Sequence, residues 1–233
     1  MDILLKAEHI SREFDVGNGN IVRALTDVSL DVNEGELVCL RGRSGSGKTT
    51  LINILGALDR QSGGNVTFCG RDIGALSDGE RDKLRRKELG FVFQSVALIS
   101  TMTALENVEL SLRLAGHPIS GRIKRAKECL TRVGLGKRME HRPGELSGGE
   151  QQRVAIARAV AAKPKLIFAD EPTAALDTNT GTAVLALFRE LVRDDGITVV
   201  MTTHDEAMMQ LADIVYELSD GKIVNVIRND IPL

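Results

Sequence analysis

The chain carries the octapeptide Gly42-Arg43-Ser44-Gly45-Ser46-Gly47-Lys48-Thr49, one residue after the apolar run at residues 37–40. It fits the pattern GxxxxGK[ST], whose glycines let backbone N–H groups turn inward around phosphate oxygens. An apolar helix is predicted to begin here, and its positive end points at the same anion. Lys48 adds a charge for the β- and γ-phosphates, and Thr49 offers a hydroxyl to Mg²⁺. The octapeptide therefore predicts a nucleoside triphosphate site.

Two other apolar runs also end in polar residues. Residues 166–169 are followed by Asp170 and Glu171, and residues 197–201 lead through two threonines to His204. Continuous apolar runs of this length are typical of strands buried on both faces, as in parallel sheets. Ligands of such sheets bind beyond the carboxyl ends of the strands. The three runs therefore predict an α/β fold with one site at a common sheet edge.

The remaining patterns predict an antiparallel flank and a helical insert. The segments are strands at 3–10 and 22–32, a hairpin of 214–218 and 222–226 turning at Asp220-Gly221, and mostly helical stretches at 77–88 and 103–162. Aspartate with glycine between two predicted strands favours a tight hairpin turn.

The strand-end carboxylates have chemical roles that suit a phosphate site. Asp170 is expected to hold Mg²⁺ through water, and Glu171 to take a proton from the attacking water. His204 is expected to face the nucleotide, because it lies at the end of the third run.

Composition excludes several classes of protein. The chain has 233 residues, 42% of them hydrophobic, with 30 positive and 32 negative side chains and a net charge of -2. That apolar fraction supports a core, and the charge balance argues against direct nucleic-acid binding. No apolar run is long enough for a membrane span, and the first residues predict no secretory signal, so we expect membrane contact through a partner.

The three cysteines, Cys39, Cys69 and Cys129, are widely spaced. This spacing is unsuited to a disulfide framework or a zinc ribbon and is typical of a reducing compartment. We expect all three to be small buried apolar residues.

The stretch Leu146-Ser147-Gly148-Gly149-Glu150-Gln151-Gln152-Arg153 resembles the signature motif of ABC-type ATPases at all eight positions. Three more motifs resemble that family in order. They are Phe91-Val92-Phe93-Gln94 as the Q-loop, Glu171-Pro172-Thr173-Ala174-Ala175-Leu176-Asp177 as the strand end with the D-loop, and His204 as the switch histidine. The resemblance covers essentially the whole chain.

The resemblance implies a single ATPase domain over residues 1–233. It has a P-loop NTPase core at 1–94 and 163–233, with a parallel sheet and an antiparallel β flank, and a helical signature subdomain at about 95–162. The implied cofactors are ATP and Mg²⁺. The separation between Lys48 and Ser147 leaves no room for the long coiled coil of DNA-repair and chromosome-maintenance relatives.

The resemblance also implies a homodimer in the ATP-bound state, with each ATP between one copy's phosphate loop and the other's signature. The ATP-binding residues would be Phe14, Gly42, Arg43, Ser44, Gly45, Ser46, Gly47, Lys48, Thr49, Thr50, Ser147, Gly148, Gly149, Glu150 and Asp177. Phe14 would stack on adenine in place of the more frequent Tyr, with core packing as the alternative. The catalytic residues would be Glu171, His204, Lys48 and Gln94, and the metal residues Thr49, Gln94 and Asp170.

Several stretches resemble the macrolide-exporter and lipoprotein-release branch. They are Val22-Arg23-Ala24-Leu25, Gly56-Ala57-Leu58-Asp59, Arg85–Gln94, Thr103–Val108 and Arg142-Pro143-Gly144-Glu145. That branch implies an ATPase subunit on the cytoplasmic face of the cell membrane that drives separate integral membrane subunits in export, extraction or mechanical signalling. The alternative is a regulatory or scaffold ATPase that signals to a membrane partner without transport.

Two features stay open from the sequence. Residues 96–100 lack the Asn and Pro often found after the Q-loop, and they would form either a partner groove or core. Two basic runs lie on predicted helices, and the residues are Arg81, Lys83, Arg85, Arg86 and Lys87 in one and Arg122, Lys124, Arg125 and Lys127 in the other. We expect these runs to be solvated faces, with anionic lipid or partner contact as the alternative.

Overall fold

The structure, a computed structural model, describes residues 2–203 and 206–229. The strands of this part are β1 (Ile3–Asp15), β2 (Ile21–Asn33), β3 (Leu37–Arg41), β4 (Gly63–Phe68), β5 (Arg71–Asp72), β6 (Leu89–Val92), β7 (Leu166–Asp170), β8 (Thr198–Thr203), β9 (Ile214–Ser219) and β10 (Lys222–Arg228). The helices are α1 (Lys48–Leu55), α2 (Asp78–Lys87), α3 (Ala104–Leu114), α4 (Ile119–Arg132), α5 (Gly148–Ala161), α6 (Thr178–Asp195) and α7 (Glu206–Leu211).

A six-stranded sheet holds the three apolar runs side by side in the order β10-β9-β3-β8-β7-β6. Its strands pair in parallel except for the hairpin of β9 and β10. Leu37 to Arg41 pair residue by residue with Val199 to Thr203, so the carboxyl ends of β3 and β8 meet at one edge. The predicted α/β class and the predicted hairpin are confirmed.

Both faces of this sheet are buried, which explains the continuous apolar runs. Val38 and Leu40 of β3 pack with Leu51 of α1, while Leu37 and Cys39 face the helices on the other side. Alternate residues of a strand point to opposite faces, so a strand between two layers needs apolar residues throughout.

The antiparallel flank is a second sheet of four strands in the order β2-β1-β4-β5. β1 and β2 are each 13 residues long and extend the predicted strands toward the turn between them. Leu5, Ile10 and Phe68 from this sheet pack against the α1 face of the parallel sheet. The sequence analysis did not predict β4, β5 or β6.

Helices α3, α4 and α5 occupy most of the stretch predicted to be helical. The interruption between α4 and α5 contains a short 3-10 turn at Pro143–Glu145. Capping boxes begin α2, α3 and α5, with the pairs Ser77 and Glu80, Thr103 and Glu106, and Ser147 and Glu150. Each box satisfies backbone N–H groups that have no partner within the helix. No helix in the described residues is long and apolar enough to cross a bilayer.

The basic runs are only partly solvated. Arg81 is buried and donates to the carbonyl oxygen of Asp59, and Arg85 donates to that of Ala57. Arg122 and Arg125 likewise donate to backbone carbonyl oxygens, of His117 and Ala161. The expectation of solvated faces is therefore wrong for these four arginines, which tie their helices to neighbouring turns or, for Arg125, to the end of α5. Exposed members of the two runs are Lys83, Arg86, Lys87, Lys124 and Lys127.

The cysteines divide into two groups. Cys39 and Cys129 are buried, as expected, and burial raises the pKa of Cys39 to about 12. Cys69 is only half-buried, and its Sγ lies 3.5 Å from the Lys165 Nζ. The expectation of burial is wrong for Cys69, because it occupies the β4–β5 turn with a left-handed φ of 49°.

Candidate functional site

The phosphate loop leaves the carboxyl end of β3 and enters α1 through Gly47, whose φ is 101°. A Cβ at this position would lie 2.7 Å from the Ala24 carbonyl oxygen and 2.8 Å from Leu25 Cδ2. Gly47 is thus required both by its left-handed backbone and by the close approach of β2. No side chain caps α1 and no acidic residue stands in its first turn. Its first N–H groups therefore face the loop, as in helix N-terminal anion sites.

Lys48 turns its ammonium group into this loop. The side chain is 6% exposed, and its Nζ donates to the carbonyl oxygens of Gly42 at 2.7 Å and Arg43 at 3.1 Å. Beside it lies a cavity of ≈ 540 Å³ lined by Ala24, Gly42, Arg43, Ser44, Gly45, Gly47, Lys48, Thr49, Thr50, Gln94 and Glu171. Ser46 lines the neighbouring cavity, and its buried Oγ has no hydrogen-bond partner among the residues that the structure describes.

The carboxylates at the end of β7 lie beside Lys48 and Thr49. Asp170 Oδ2 accepts from the Thr49 hydroxyl at 3.0 Å, and Glu171 Oε1 lies 3.9 Å from Lys48 Nζ. Gln94 Nε2 donates to Glu171 Oε2 at 3.4 Å. The fold thus brings the phosphate-loop residues that follow β3 together with the carboxylates that end β7.

Glu171 has a left-handed φ of 43°, an unusual conformation for a side chain of this size. Its N–H donates to Thr202 Oγ1 at 2.8 Å, and the same hydroxyl donates to Asp170 Oδ1 at 2.5 Å. Thr202 is fully buried on β8 and orients both carboxylate residues. The sequence analysis did not assign Thr202 a role, although a hydroxyl ending a buried apolar strand was a usable signal.

The expected magnesium donors are oxygen atoms of different kinds. In the described residues no group of three or more His, Cys, Asp and Glu side chains could hold a metal. Thr49 and Asp170 instead place a hydroxyl and a carboxylate in contact, with the Gln94 amide at the same cavity. Mg²⁺ prefers such oxygen ligands and usually keeps several waters, with phosphates completing its shell. The donor set therefore fits a phosphate-bound Mg²⁺.

The signature residues begin α5 elsewhere in the chain. Ser147 Oγ accepts from the Glu150 N–H at 3.2 Å, and Glu150 Oε2 accepts from the Ser147 N–H at 2.9 Å. This backbone hydrogen bond, reinforced by Arg138, holds the pKa of Glu150 below its usual value. Ser147 and Gly148 are exposed, and the described residues that line the phosphate-loop cavity include none of Ser147–Glu150.

The D-loop packs on the signature of its own chain. A Cβ on Gly149 would overlap Thr180 Cγ2, and one on Gly148 would contact Leu176. Asp177 caps α6 by accepting from the Thr180 hydroxyl and N–H, which lowers the pKa of this carboxyl. Asp177 is exposed and does not line the phosphate-loop cavity.

Phe14 lies near the end of β1, paired with Val22 of β2, and it is 36% exposed. It is therefore not a core residue. The guanidinium of Arg12 lies over its ring, 4.3 Å from the ring centre. His204 is outside the described residues, so its predicted role stays a prediction.

The segment after Gln94 has an unusual backbone that the sequence did not reveal. Val96 and Ala97 have left-handed φ values of 62° and 49°. Arg158 of α5 donates to the carbonyl oxygens of both residues, and burial lowers the pKa of this arginine. Val96 and Leu98 pack on the core while Ile99 is 41% exposed, so the segment is partly core and partly surface.

A phosphate loop, strand-end carboxylates and a parallel sheet define a P-loop nucleotide-binding domain. A family model for the ABC transporter matches residues 25–174. The chain belongs to the ABC transporter family, and it is an ATP-binding, ATP-hydrolysing domain of that family.

Several relatives are similar over nearly the whole chain. The macrolide export ATP-binding/permease protein MacB 1/2 of Paracoccus denitrificans is 47% identical over 229 residues, 98% of this chain and 34% of the relative. An uncharacterized ABC transporter ATP-binding protein, MJ1508 of Methanocaldococcus jannaschii, is 46% identical over 225 residues, 97% of this chain and 100% of the relative. The chain thus spans about a third of the length of the MacB relative.

A solved structure is similar in fold. It is described as a dimeric, post-hydrolysis state of the ATP-binding cassette MJ0796 bound to ADP and Pi, with a TM-score of 0.90 and 42% identity. The match covers 96% of this chain and 98% of the solved one. The predicted fold class, family and ATPase activity are confirmed.

Proposed function

We propose that two copies of this domain pair head to tail around two ATP molecules and drive conformational change in separate membrane subunits. One observation carries the pairing. The residues that can hold a triphosphate are gathered at one cavity, whereas the exposed signature at Ser147 and Gly148 lies outside it. The start of α5 is a second N-terminal anion site. A second copy can bring that site to the phosphates.

Within each site the residues have separate tasks. The phosphate loop and Lys48 bind the β- and γ-phosphates, and Phe14 stacks on the base. Thr49, Asp170 and Gln94 hold Mg²⁺, which neutralises phosphate charge when it is bound. Glu171 accepts the proton of the attacking water, and His204 faces the nucleotide as the switch histidine. Ser147, Gly148, Gly149 and Glu150 of the second copy close the site, and its Asp177 lies near the phosphates.

The type of transport system is supported by the relatives. The MacB relative is described as a macrolide export ATP-binding/permease protein, and the solved cassette as a dimer. We propose that this domain powers a system of the same branch, by export, extraction or mechanical signalling, from the cytoplasmic face of the membrane. A regulatory ATPase without transport would use the same nucleotide chemistry.

Mixing two inactive variants tests the shared site. Lys48→Ala should weaken ATP binding about 10- to 100-fold, because it removes charge-assisted hydrogen bonds to phosphate. Ser147→Ala should impair hydrolysis while leaving ATP affinity of the isolated copy nearly unchanged. A mixed dimer has one site with both lesions and one intact site.

We therefore expect the mixture to regain hydrolysis that neither variant has alone, measured as phosphate release against protein concentration. Mixing Lys48→Ala with further Lys48→Ala protein is the matched control. Absence of any recovery, in a mixture that cross-linking shows to contain mixed dimers, would exclude the shared-site arrangement.

A further inference from the structure

Phe14 has one ring face covered by a cation that is itself held in place. The Arg12 guanidinium carbon lies 4.3 Å from the centre of the Phe14 ring. Arg12 Nε donates to Asp59 Oδ2 at 2.9 Å, and Nη2 donates to Asp59 Oδ1 at 3.1 Å. This two-point pairing fixes the plane of the guanidinium. The side chains of Arg12 and Asp59 are only 23% and 32% exposed, so the pair is partly shielded from water.

Asp59 is in turn fixed to the helix that begins at the phosphate loop. Its N–H donates to the Asn53 carbonyl oxygen of α1 at 3.0 Å, and its own carbonyl oxygen accepts from buried Arg81. The orientation of Phe14 is therefore linked through Arg12 and Asp59 to α1, whose first residues surround the phosphate site.

The pairing of β1 with β2 places Phe14 close to the phosphate site. Phe14 pairs with Val22, and Ala24, two residues further along β2, lines the phosphate-loop cavity. One face of the Phe14 ring is covered by Arg12, and the other face can be offered to a planar base bound beside the cavity. Aromatic rings stack on bases by such faces.

We propose that Arg12 is a positioning residue for the nucleobase: anchored by Asp59, it holds the Phe14 ring in the orientation on which the purine stacks. The proposal rests on the proposed ATP site and adds a base-specific contribution that comes from outside the phosphate loop. Arg12 acts through Phe14, so its loss should affect ligands that carry a base and spare ligands that do not.

The test compares ATP with inorganic tripolyphosphate, which has the phosphates but no base. Arg12→Met keeps a long apolar side chain and removes the charge. We expect it to weaken ATP binding about three- to fivefold, the size of a partly shielded cation–π contact. Tripolyphosphate affinity should stay within experimental error. In hydrolysis assays the KM for ATP should rise by the same factor while kcat is unchanged.

Arg23→Met is the matched control. Arg23 lies on the same ribbon and pairs with Glu13 at 2.9 Å, but its side chain is 72% exposed. The control should bind both ligands as the unmodified protein does. Arg12→Lys keeps the charge without two-point pairing. Its ATP affinity should lie between that of Arg12→Met and that of the unmodified protein. It also gives a second measurement if Arg12→Met is poorly folded.

A double-mutant cycle with Phe14→Leu completes the design. If Arg12 acts through the ring, Arg12→Met should cause no further loss of ATP affinity in the Phe14→Leu background. Equal losses of ATP and tripolyphosphate, unchanged ATP affinity in Arg12→Met, or additive losses in the cycle would each overturn the proposal. Failure of the unmodified protein to bind either ligand would instead overturn the proposed ATP site itself.

Discussion

The helices α1 and α5 both begin at glycine-rich motifs, but their N-terminal ends are built differently. The end of α1 has Gly47 in a left-handed conformation, no side-chain cap and no acid in its first turn. The end of α5 is closed by its own chain, because Ser147 and Glu150 satisfy each other's N–H groups. The boxes that begin α2 and α3 are the same in kind. The α1 end is therefore specialised for an anion, whereas the α5 end is stable by itself and leaves Ser147 and Gly148 exposed.

Because of this difference, we expect ATP hydrolysis to depend most on the residues beside the α1 end. Glu171→Gln changes only the carboxylate beside α1, so ATP should still bind while kcat falls about 10²–10⁴-fold, the usual contribution of a positioned base. ATP-dependent dimers should accumulate, because the ligand is held without turnover. The measurements are phosphate release and solution mass with ATP. Full-speed hydrolysis by this variant would remove Glu171 from its proposed role.

At the α5 end we expect close packing, rather than chemistry, to determine which substitutions are tolerated. In Gly149→Ala the new Cβ overlaps Thr180 Cγ2, so we expect a loss of about 1–3 kcal/mol in unfolding free energy, as for other overpacked sites. Thr180→Ser removes the methyl group, keeps the hydroxyl that binds Asp177, and should restore most of the loss. Denaturant unfolding of the single and double variants measures both effects.

Gly79 provides the matched control, because it holds the same second position in α2 after the cap residue Ser77. A Cβ there meets nothing within 4 Å. Gly79→Ala should therefore stabilise the protein by about 0.4–1 kcal/mol, through a less flexible unfolded chain. Equal destabilisation by both alanines would show that packing on Thr180 is not the cause.

The smallest expected effect is a pH dependence of the α5 cap. The Ser147 N–H holds the folded-state pKa of Glu150 below its usual value of about 4.5. A lowered folded pKa means that this stabilisation is complete above the unfolded-state value and is lost as pH falls through the folded value. Glu150→Gln cannot titrate at this position and serves as the reference. The melting temperature of the unmodified protein should fall relative to that of Glu150→Gln only below about pH 4.5. A constant difference from pH 7 to 3 would contradict this.

Much of the fold follows from local pattern. The buried runs of β3, β7 and β8 are continuous because the sheet has layers on both faces, and such runs are visible in the sequence. β6 was missed since it has four residues and includes Gly90, whose added Cβ would lie 2.8 Å from the Ala159 carbonyl oxygen. Gly90 is required because α5 packs closely against it, and a contact of this kind cannot be predicted from the local sequence.

The site was predictable where chemistry follows a strand end and less so where it depends on distant packing. Asp170, Glu171 and Thr49 meet because parallel strands bring their carboxyl ends to one edge. The support from Thr202, the pairing of Arg12 with Asp59 and the interior positions of Arg81 and Arg158 each join residues far apart in the chain. The position of Thr202 at the end of an apolar run was visible in the sequence, but a single sequence gives no signal for which distant residues pair, and arginine is more often solvated than buried.

Arg158 connects α5 to the backbone that follows Gln94 through two hydrogen bonds. A left-handed valine costs about 1–3 kcal/mol, and the guanidinium bonds to Val96 and Ala97 help to sustain that cost. If α5 moved relative to the sheet, these hydrogen bonds would transmit the movement to the backbone beside Gln94. The position of α5 is thus coupled, through Arg158 and the chain beside Gln94, to the amide that donates to Glu171.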